Sequence, residues 1–385
     1  MNRDFRTEIE GYREIEKELS VLQKYAIQNI RPQELVTRIT DRFHPKRIKM
    51  RVSEIREETP DARTLRFVPA EGYLPPFHAG QYINVYITAK GIRTARPYSI
   101  SSSPFQTAYY EITIKRVTGG FVSSYLLDTV NPGDDLETSG PEGHFYYNPL
   151  FHGNDLVFIA GGSGITPFMS MIREVTDRGH DRTIHLIYGN RSPDNIIFDA
   201  ELKERAQRHT NLTVANIISE PPKGYDGYCG LITSELIQKI AGDISGKMFY
   251  LCGSEEMNRF CREEFAKLNI QAKHIRSDSF GLPGDITLEP DWPASVRKNE
   301  SFIVMLNGGV SLTAFAGEPL INALERAGIT VPNSCRTGEC SLCRIRLVSG
   351  EVFQPAGVKV RKSDRRFGYI HACASYPLTD LKIMI

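Results

Sequence analysis

At 385 residues the chain has room for two or three domains, and its 41% hydrophobic content is ordinary for a protein with globular cores. A formal net charge of +1 supplies no overall electrostatic pull toward nucleic acid or an anionic membrane. Seven cysteines, an odd number, fit a reducing cytosol better than a secreted disulfide scaffold.

Residues 1–45 read as a helical extension. Met1-Asn2-Arg3-Asp4-Phe5-Arg6 leads into charged sequence with no apolar stretch of signal-peptide type, which places the chain in the cytoplasm. Tyr12, Ile15, Leu19, Leu22 and Ala26 recur at steps of three and four, two heptads and so short of a coiled coil. Arg31-Pro32 breaks this helix, and Pro32 starts a second that carries Leu35, Ile39 and Phe43. Such an arm packs on its own body or on a twin subunit as a homodimer, docks a partner protein, or frays.

From Arg47 the texture turns to β, and residues 46–150 are expected to form a small antiparallel barrel. Short alternating runs occur at Arg47–Ile55, Thr64–Phe67, Gln81–Ile87, Tyr98–Ser101 and Tyr109–Val117, separated by Gly, Pro and Ser turns. Arg96-Pro97-Tyr98-Ser99, followed by Gly120-Phe121-Val122-Ser123, offers a cation for phosphate, an aromatic stacking face and hydroxyl donors. Strand alternation puts Arg96 and Tyr98 on one face and Pro97 and Ser99 on the other, unless the strand ends or bulges there. Taken alone, the tetrapeptide is also an unremarkable edge strand.

Across residues 151–282 strands alternate with helices, the pattern of a parallel sheet. Expected strands are Leu156–Ala160, Thr183–Tyr188, Leu212–Ile218 and Met248–Leu251, with helices near Asp199–Arg208 and Thr233–Ile240. The longest uncharged run, Leu156 to Ile172, contains three glycines and a proline and falls short of a membrane span. Its first strand enters Gly161-Gly162-Ser163-Gly164-Ile165-Thr166-Pro167, where glycines let backbone approach phosphates and a helix N-terminus presents unpaired N–H groups. Pro167 suits the first helical turn, where its missing N–H costs little. The motif is GxGxxP, not the generic GxGxxG. No acid follows the second strand until Asp194; Arg191 is placed to meet a 2′-phosphate, favouring NADPH, but is equally a solvated loop charge, so the nicotinamide type stays open. Cys252-Gly253 ends a parallel strand at the edge where such sheets bind ligands, although a cysteine there is more often a small buried residue. Residues 283–298, with three prolines and two aspartates, read as a linker.

Residues 299–385 hold Cys335, Cys340, Cys343 and Cys373, spaced C-x4-C-x2-C with the fourth far downstream. Three thiolates on one tight loop and a fourth from a distant strand is the plant-type [2Fe–2S] arrangement. A structural zinc site is the alternative, but zinc usually pairs two short CxxC knuckles, and only one is present. This stretch resembles a plant-type ferredoxin domain.

In combination, RPYS, GxxS, GxGxxP, Cys-Gly and the cysteine set, in this order, resemble the ferredoxin–NADP reductase superfamily, in its fusions of reductase with ferredoxin that supply electrons to bacterial oxygenases and related enzymes. The resemblance covers roughly residues 46–385 and implies an antiparallel β-barrel flavin domain, an α/β NAD(P)-binding domain and an α+β (β-grasp) ferredoxin domain. It implies that Arg96 binds flavin phosphate, that Tyr98, beside Pro97, flanks the isoalloxazine, and that Ser99 hydrogen-bonds its N5. Gly120, Val122 and Ser123 would hold a pyrophosphate, which suggests FAD over FMN. Gly162, Gly164, Thr166, Pro167 and Arg191 would bind NAD(P)H, with Thr166, Cys252 and Gly253 approaching the nicotinamide. Asp278-Ser279-Phe280 matches the family's acidic-x-aromatic close, with Asp in place of the usual Glu, which puts a proton-handling role for Asp278 in doubt. The catalytic residues implied are Ser99 and Cys252.

A nicotinamide delivers two electrons as hydride, a [2Fe–2S] cluster takes one at a time, and a flavin divides the pair. The expected activity is therefore transfer from NAD(P)H through flavin to the cluster and out to a partner redox protein, an oxygenase or other terminal enzyme. Alternatives are a reverse NAD(P)+ reductase fed by a low-potential donor, a non-catalytic iron–sulfur carrier, and direct reduction of a small molecule at the flavin. No oxygenase site is legible in the chain itself: Rieske-type Cys/His pairs are absent and the histidines lack ligand spacing.

Overall fold

The alternation that begins at Arg47 builds six antiparallel strands: β1 (Ile48–Thr59), β2 (Ala62–Pro69), β3 (Tyr82–Ala89), β4 (Ile92–Ser99), β5 (Tyr110–Lys115) and β6 (Asp135–Thr138). Their order is β4-β3-β6-β1-β2-β5, and a bridge between Ile100 and Ile112 joins the two ends into a barrel. Met50, Val52, Leu65, Phe67, Ile83 and Val85 fill the interior. The computed structural model describes residues 11–25, 40 and 45–385, which fall into two units, 1–46 and 47–385.

β4 starts six residues earlier than the sequence suggested. Lys90 and Gly91 both take positive φ, 49° and 75°, and form the two-residue hairpin turn that pairs Ala89 with Ile92. Lys-Gly is a weak turn signal beside Asn-Gly, and the arginines of β4 mask its period. The β3–β4 register runs unbroken to Tyr82 opposite Ser99, so no bulge disturbs the alternation of residues 96–99. Helix α2 (Phe121–Asp128) sets Val122, Leu126 and Leu127 into the barrel core. In the first unit, helix α1 (Tyr12–Tyr25) leaves Ile15 and Leu19 exposed. The second helix expected from Pro32, like Ala26, lies outside the described residues.

The following region is a parallel sheet of β7 (Asp155–Gly161), β8 (Thr183–Asn190), β9 (Leu212–Ile218), β10 (Tyr228–Cys229), β11 (Met248–Gly253) and β12 (Ile275–Ser279), ordered β10-β9-β8-β7-β11-β12. Helices α3 (Ile165–Arg178) and α4 (Asp199–Arg208) cover one face; α5 (Ser234–Ala241) and α6 (Glu255–Lys267) cover the other. The order reverses between β7 and β11, so the crevice at their carboxyl ends is the topological switch point at which such sheets bind ligands.

The last region is a mixed sheet, β14-β13-β19-β15-β17, in which β13 (Ser301–Leu306) pairs antiparallel with β14 (Ser311–Phe315) and parallel with β19 (Leu381–Met384). Helix α7 (Leu320–Arg326) lies across it, and β15 (Arg344–Ser349), β16 (Val352–Phe353), α8 (Lys362–Arg366), β17 (Tyr369–His371) and β18 (Tyr376–Pro377) complete a β-grasp. The segment 283–298 is packed, not loose: Trp292 meets Phe353 edge-on at 5.2 Å, and Ile286 is buried beside Tyr376.

Candidate electron-transfer site

The end of β4, the glycine loop after β7, the end of β11 and the cysteine loop carry the site residues expected from the sequence. Arg96 donates to the Thr94 hydroxyl at 2.9 Å and to the Ala95 carbonyl at 2.8 Å, and no carboxylate bonds it. Burial, then the neighbouring Arg336, lowers its pKa to about 10. An embedded guanidinium without a carboxylate partner among the described residues suits a phosphate such as a flavin nucleotide carries. Tyr98 is deeply set, which pushes its phenol up, and Ser99 is buried opposite Tyr82.

Helix α2 begins without a side-chain cap, leaving its first-turn amides open to an anion. The Gly120 N–H is already engaged by the Val117 carbonyl at 2.8 Å, so the open donors are those of residues 121–123. The Ser123 hydroxyl accepts from the Val117 N–H at 3.2 Å. Gly120 has no room for a side chain, since a Cβ would fall 2.5 Å from Ser123 Oγ.

The two loop glycines have different jobs. Gly162 adopts φ +51° and opens to space near Lys115 Nζ, whereas a Cβ on Gly164 would strike the Cys252 carbonyl oxygen at 2.1 Å. Gly164 thus lets α3 seat on β11, and Gly162 makes the turn. The Thr166 hydroxyl turns back to the Ser163 carbonyl at 2.7 Å, and Pro167 sits in the first turn of α3. Two residues overlooked in the sequence join here: the buried Tyr188 hydroxyl donates to the Gly162 carbonyl at 2.9 Å, and Lys115 reaches the loop from β5. No local motif marks either; only alternation along β8 predicts that Tyr188 points toward α3.

Cys252 is fully buried, and burial followed by the adjacent Asp278 pushes its thiol well above the usual range, so it stays neutral. Gly253 lies against Met257 and receives the Phe280 N–H at 3.5 Å; the Phe280 ring is 42% exposed. Arg191 stands apart at the surface, 3.3 Å from Glu220.

The cysteine loop is tightly curled: Arg336, Gly338 and Ser341 all have positive φ, at 55°, 80° and 61°. Two of these are not glycine, a cost of about 1–2 kcal/mol each. The N–H groups of Thr337 and Cys340 both point at Cys335 Sγ at 3.4 Å. Cys335 contacts Cys340 and Cys373, and Cys343 contacts Cys373. Among the described residues no three His, Cys, Asp or Glu side chains gather around one point as a single ion requires. A chain of four soft thiols with amides turned to sulfur suits two sulfide-bridged irons.

The cysteine loop is bonded directly to the barrel. Ser334 shares a hydrogen bond with the Tyr82 hydroxyl at 2.8 Å, accepts from Asn84 at 3.1 Å and donates to Glu142.

Fold and site together define a flavin- and iron–sulfur-dependent NAD(P)H oxidoreductase. Three family models match in chain order: an oxidoreductase FAD-binding domain over residues 49–147, an oxidoreductase NAD-binding domain over 158–263 and a 2Fe-2S iron-sulfur cluster binding domain over 304–378. The chain is similar to the glycine betaine monooxygenase reductase subunit of Pseudomonas aeruginosa, 30% identical over 87% of this chain and 94% of that one. It is also similar to the ferredoxin reductase component of the 3-ketosteroid-9-alpha-monooxygenase of Mycobacterium tuberculosis, 27% identical over 86% and 94%. Among solved structures, phthalate dioxygenase reductase shares the fold with a TM-score of 0.68 at 24% identity, over 88% of this chain and 98% of that one. The chain belongs to the ferredoxin–NADP reductase superfamily, among its reductase–ferredoxin fusions, and carries electrons from NAD(P)H through FAD to a [2Fe-2S] centre.

Proposed function

We propose that this chain is the cytoplasmic reductase component of an oxygenase system, fed by NADH and emptied by a terminal oxygenase. The observation that carries this reading is a short structural route. Ser99 sits opposite Tyr82 on the neighbouring strand, the Tyr82 hydroxyl bonds Ser334 at 2.8 Å, and Ser334 precedes Cys335. The flavin strand and the cluster loop are thereby held as one body. Relatives named as reductase subunits of monooxygenases, matched over nearly their whole length, support an oxygenase as acceptor. Among the described residues no helix is long and apolar enough to cross a membrane.

FAD, when bound, accepts two electrons as hydride and releases them singly. The chain's own residues position the reactants. Arg96 and the first amides of α2 would hold the flavin's phosphates, Tyr98 would pack on the ring, and Ser99 would offer its hydroxyl to N5. The 162–167 loop, held by Tyr188, seats the dinucleotide. Cys252, neutral and buried, would pack beside the nicotinamide and would not act as a nucleophile. Cys335, Cys340, Cys343 and Cys373 hold the cluster. For the nucleotide, Glu220 pairs with Arg191 at 3.3 Å and offers it a carboxylate in place of a 2′-phosphate, which favours NADH.

The test is anaerobic reduction by NADH followed by mixing with a purified glycine betaine monooxygenase oxygenase subunit. Transfer should appear as cluster reoxidation with coupled product. Cys340→Ser should stop this transfer while sparing ferricyanide reduction at the flavin; loss of both with FAD retained would overturn the order of electron flow.

A further inference from the structure

Charge is unevenly spread along the chain. Residues 301–385 hold ten Lys and Arg against six Asp and Glu, a net of +4, in a chain whose total is +1. The rest of the chain is therefore slightly acidic, and the excess lies beside the cluster. Arg344 and Arg346 project from the exposed face of β15, directly after the ligand Cys343. Strand β17 pairs with β15, placing His371 opposite Arg344 and Tyr369 opposite Arg346. The chain enters β17 from α8, which carries Lys362, Arg365 and Arg366, all exposed, with Arg361 exposed just before it.

Two acids serve this face, and both are taken. Asp364 binds Arg344 at 3.0 Å and Glu339 binds Lys359 at 2.6 Å. Arg346, Arg361, Lys362, Arg365 and Arg366 have no carboxylate within ion-pair distance among the described residues. Five like charges on one short helix, its entry and its neighbouring strand repel one another, and among the described residues none of the five has an ion-pair partner. The basic segment is tied to the cluster loop by the Lys359 N–H, which donates to the Gly338 carbonyl at 3.1 Å. In the same region the ligand Cys340 is exposed, and two apolar side chains face water, Leu342 at 53% and Phe367 at 63%. Exposed apolar side chains beside an excess of positive charge suit a short-lived, electrostatically steered contact.

We propose that α8 and the outer face of β15, with Leu342 and Phe367, form the docking surface for the electron acceptor, and that the acceptor presents an acidic surface around its own redox centre. This rests on the reading of the cluster as the outlet for electrons. An electron leaves where the cluster comes nearest to the acceptor, and the exposed Cys340 marks that place. Opposite charge there raises the encounter rate and sets the orientation; like charge keeps other redox proteins away.

The experiment uses the NADH-reduced holoprotein in stopped flow with two soluble one-electron probes, acidic cytochrome b5 and basic cytochrome c, across a range of ionic strength. Reduction of the acidic probe should slow about tenfold from low to high salt, whereas the basic probe should gain as repulsion is screened. Lys362→Glu with Arg366→Glu should remove the salt dependence with cytochrome b5 and speed cytochrome c at low salt. The same positions changed to Gln should give half the effect if charge reversal costs the cluster, whose absorption is checked in each variant. Wild-type salt dependence in a cluster-replete variant with both probes overturns the docking surface. Undiminished probe reduction by Cys340→Ser overturns the underlying reading instead, since electrons would then leave without the cluster.

Discussion

Arg336 donates from Nη2 to the Thr94 hydroxyl at 3.0 Å, across the boundary between the cluster loop and barrel strand β4. The same oxygen receives Arg96 Nη1 at 2.9 Å, and the Thr94 proton goes to Glu325 on α7 at 2.9 Å. Glu325 also pairs with Arg336. One buried hydroxyl therefore joins the arginine assigned to the flavin phosphate and the arginine that follows the first cluster ligand. With one carboxylate for two guanidiniums, the site is short of one negative charge, which the proposed flavin phosphate would supply.

Thr94→Val keeps the shape of that residue but deprives both guanidiniums of their shared acceptor and Glu325 of a donor. Leaving buried polar groups unsatisfied costs about 1–3 kcal/mol. The expected result is a lower denaturation midpoint and slower bleaching of the cluster, with the flavin bleaching by NADH little changed. Equal stability and equal cluster kinetics would show that this hydroxyl does not hold the two domains together.

Arg191 and Glu220 are both well exposed, 75% and 69%, so their pair is weakly stabilising and easily displaced. Its effect should show in nucleotide choice instead. Glu220→Gln frees Arg191 and removes a negative charge from the expected 2′-phosphate position. The ratio of kcat/KM for NADPH over NADH should rise about two- to fivefold, the scale of an exposed charge pair. An unchanged ratio would place the adenosine ribose elsewhere.

Glu111, only 2% exposed on β5, accepts from three arginines: Arg56 at 2.8 Å, Arg66 at 2.9 Å and, from α3 of the nucleotide domain, Arg173 at 2.9 Å. Arg173 also donates to the Ser101 carbonyl at 2.8 Å and to Glu201 at 2.9 Å. Burial pushes the Glu111 carboxyl up, but the Arg56 hydrogen bond and the charges of Arg173 and Arg56 outweigh it, and its pKa lies below the ordinary value. A depressed acid stabilises the fold above its unfolded pKa, and that contribution is lost as pH falls through the folded value. The wild type should therefore lose stability on acidification below about pH 4.5, and Glu111→Gln should be weaker at neutral pH with a shallower acid slope. Parallel pH profiles for the two proteins would count against this.

Much of this organisation is legible in the chain because strong local signals mark it. The cysteine spacing, the glycine loop after an apolar strand and the β-to-α change of period each mark their own element. Helix α6 and strand β12 escaped notice: the strand Ile-Arg-Ser-Asp-Ser is too polar to show a period, although Ser254 followed by two glutamates is a fair helix-start signal. The contacts that make the site work escaped for a different reason. Tyr82 and Ser334 are 252 residues apart, and Thr94 and Arg336 are 242 apart; no local pattern links such pairs. Arg191 was legible as a loop charge, but its partner Glu220 follows the next strand, so the pair shows only once the sheet is assembled.

Asp278 pairs in register with Cys252 at the edge of the sheet. Burial, then the charge of Glu339 from the cysteine loop, raises its carboxyl to about 7, against a hydrogen bond from the Ser279 N–H and the cation of Lys359. An acid raised in the folded state binds its proton there at a pH where the unfolded chain has already lost it. Stability therefore falls as pH rises from about 4 to 7, and above that the full penalty is present. Asp278→Asn should be more stable than the wild type above neutrality and should flatten the slope between those limits, as denaturant midpoints at a series of pH values would record. The same substitution should leave the Cys252 thiol unreactive toward iodoacetamide, because burial, the larger cause of its raised pKa, is untouched. Rapid alkylation of the folded variant, or a pH slope identical to wild type, would mean that the carboxyl is solvated and ionised, and that the sheet edge beside the nicotinamide position is wet.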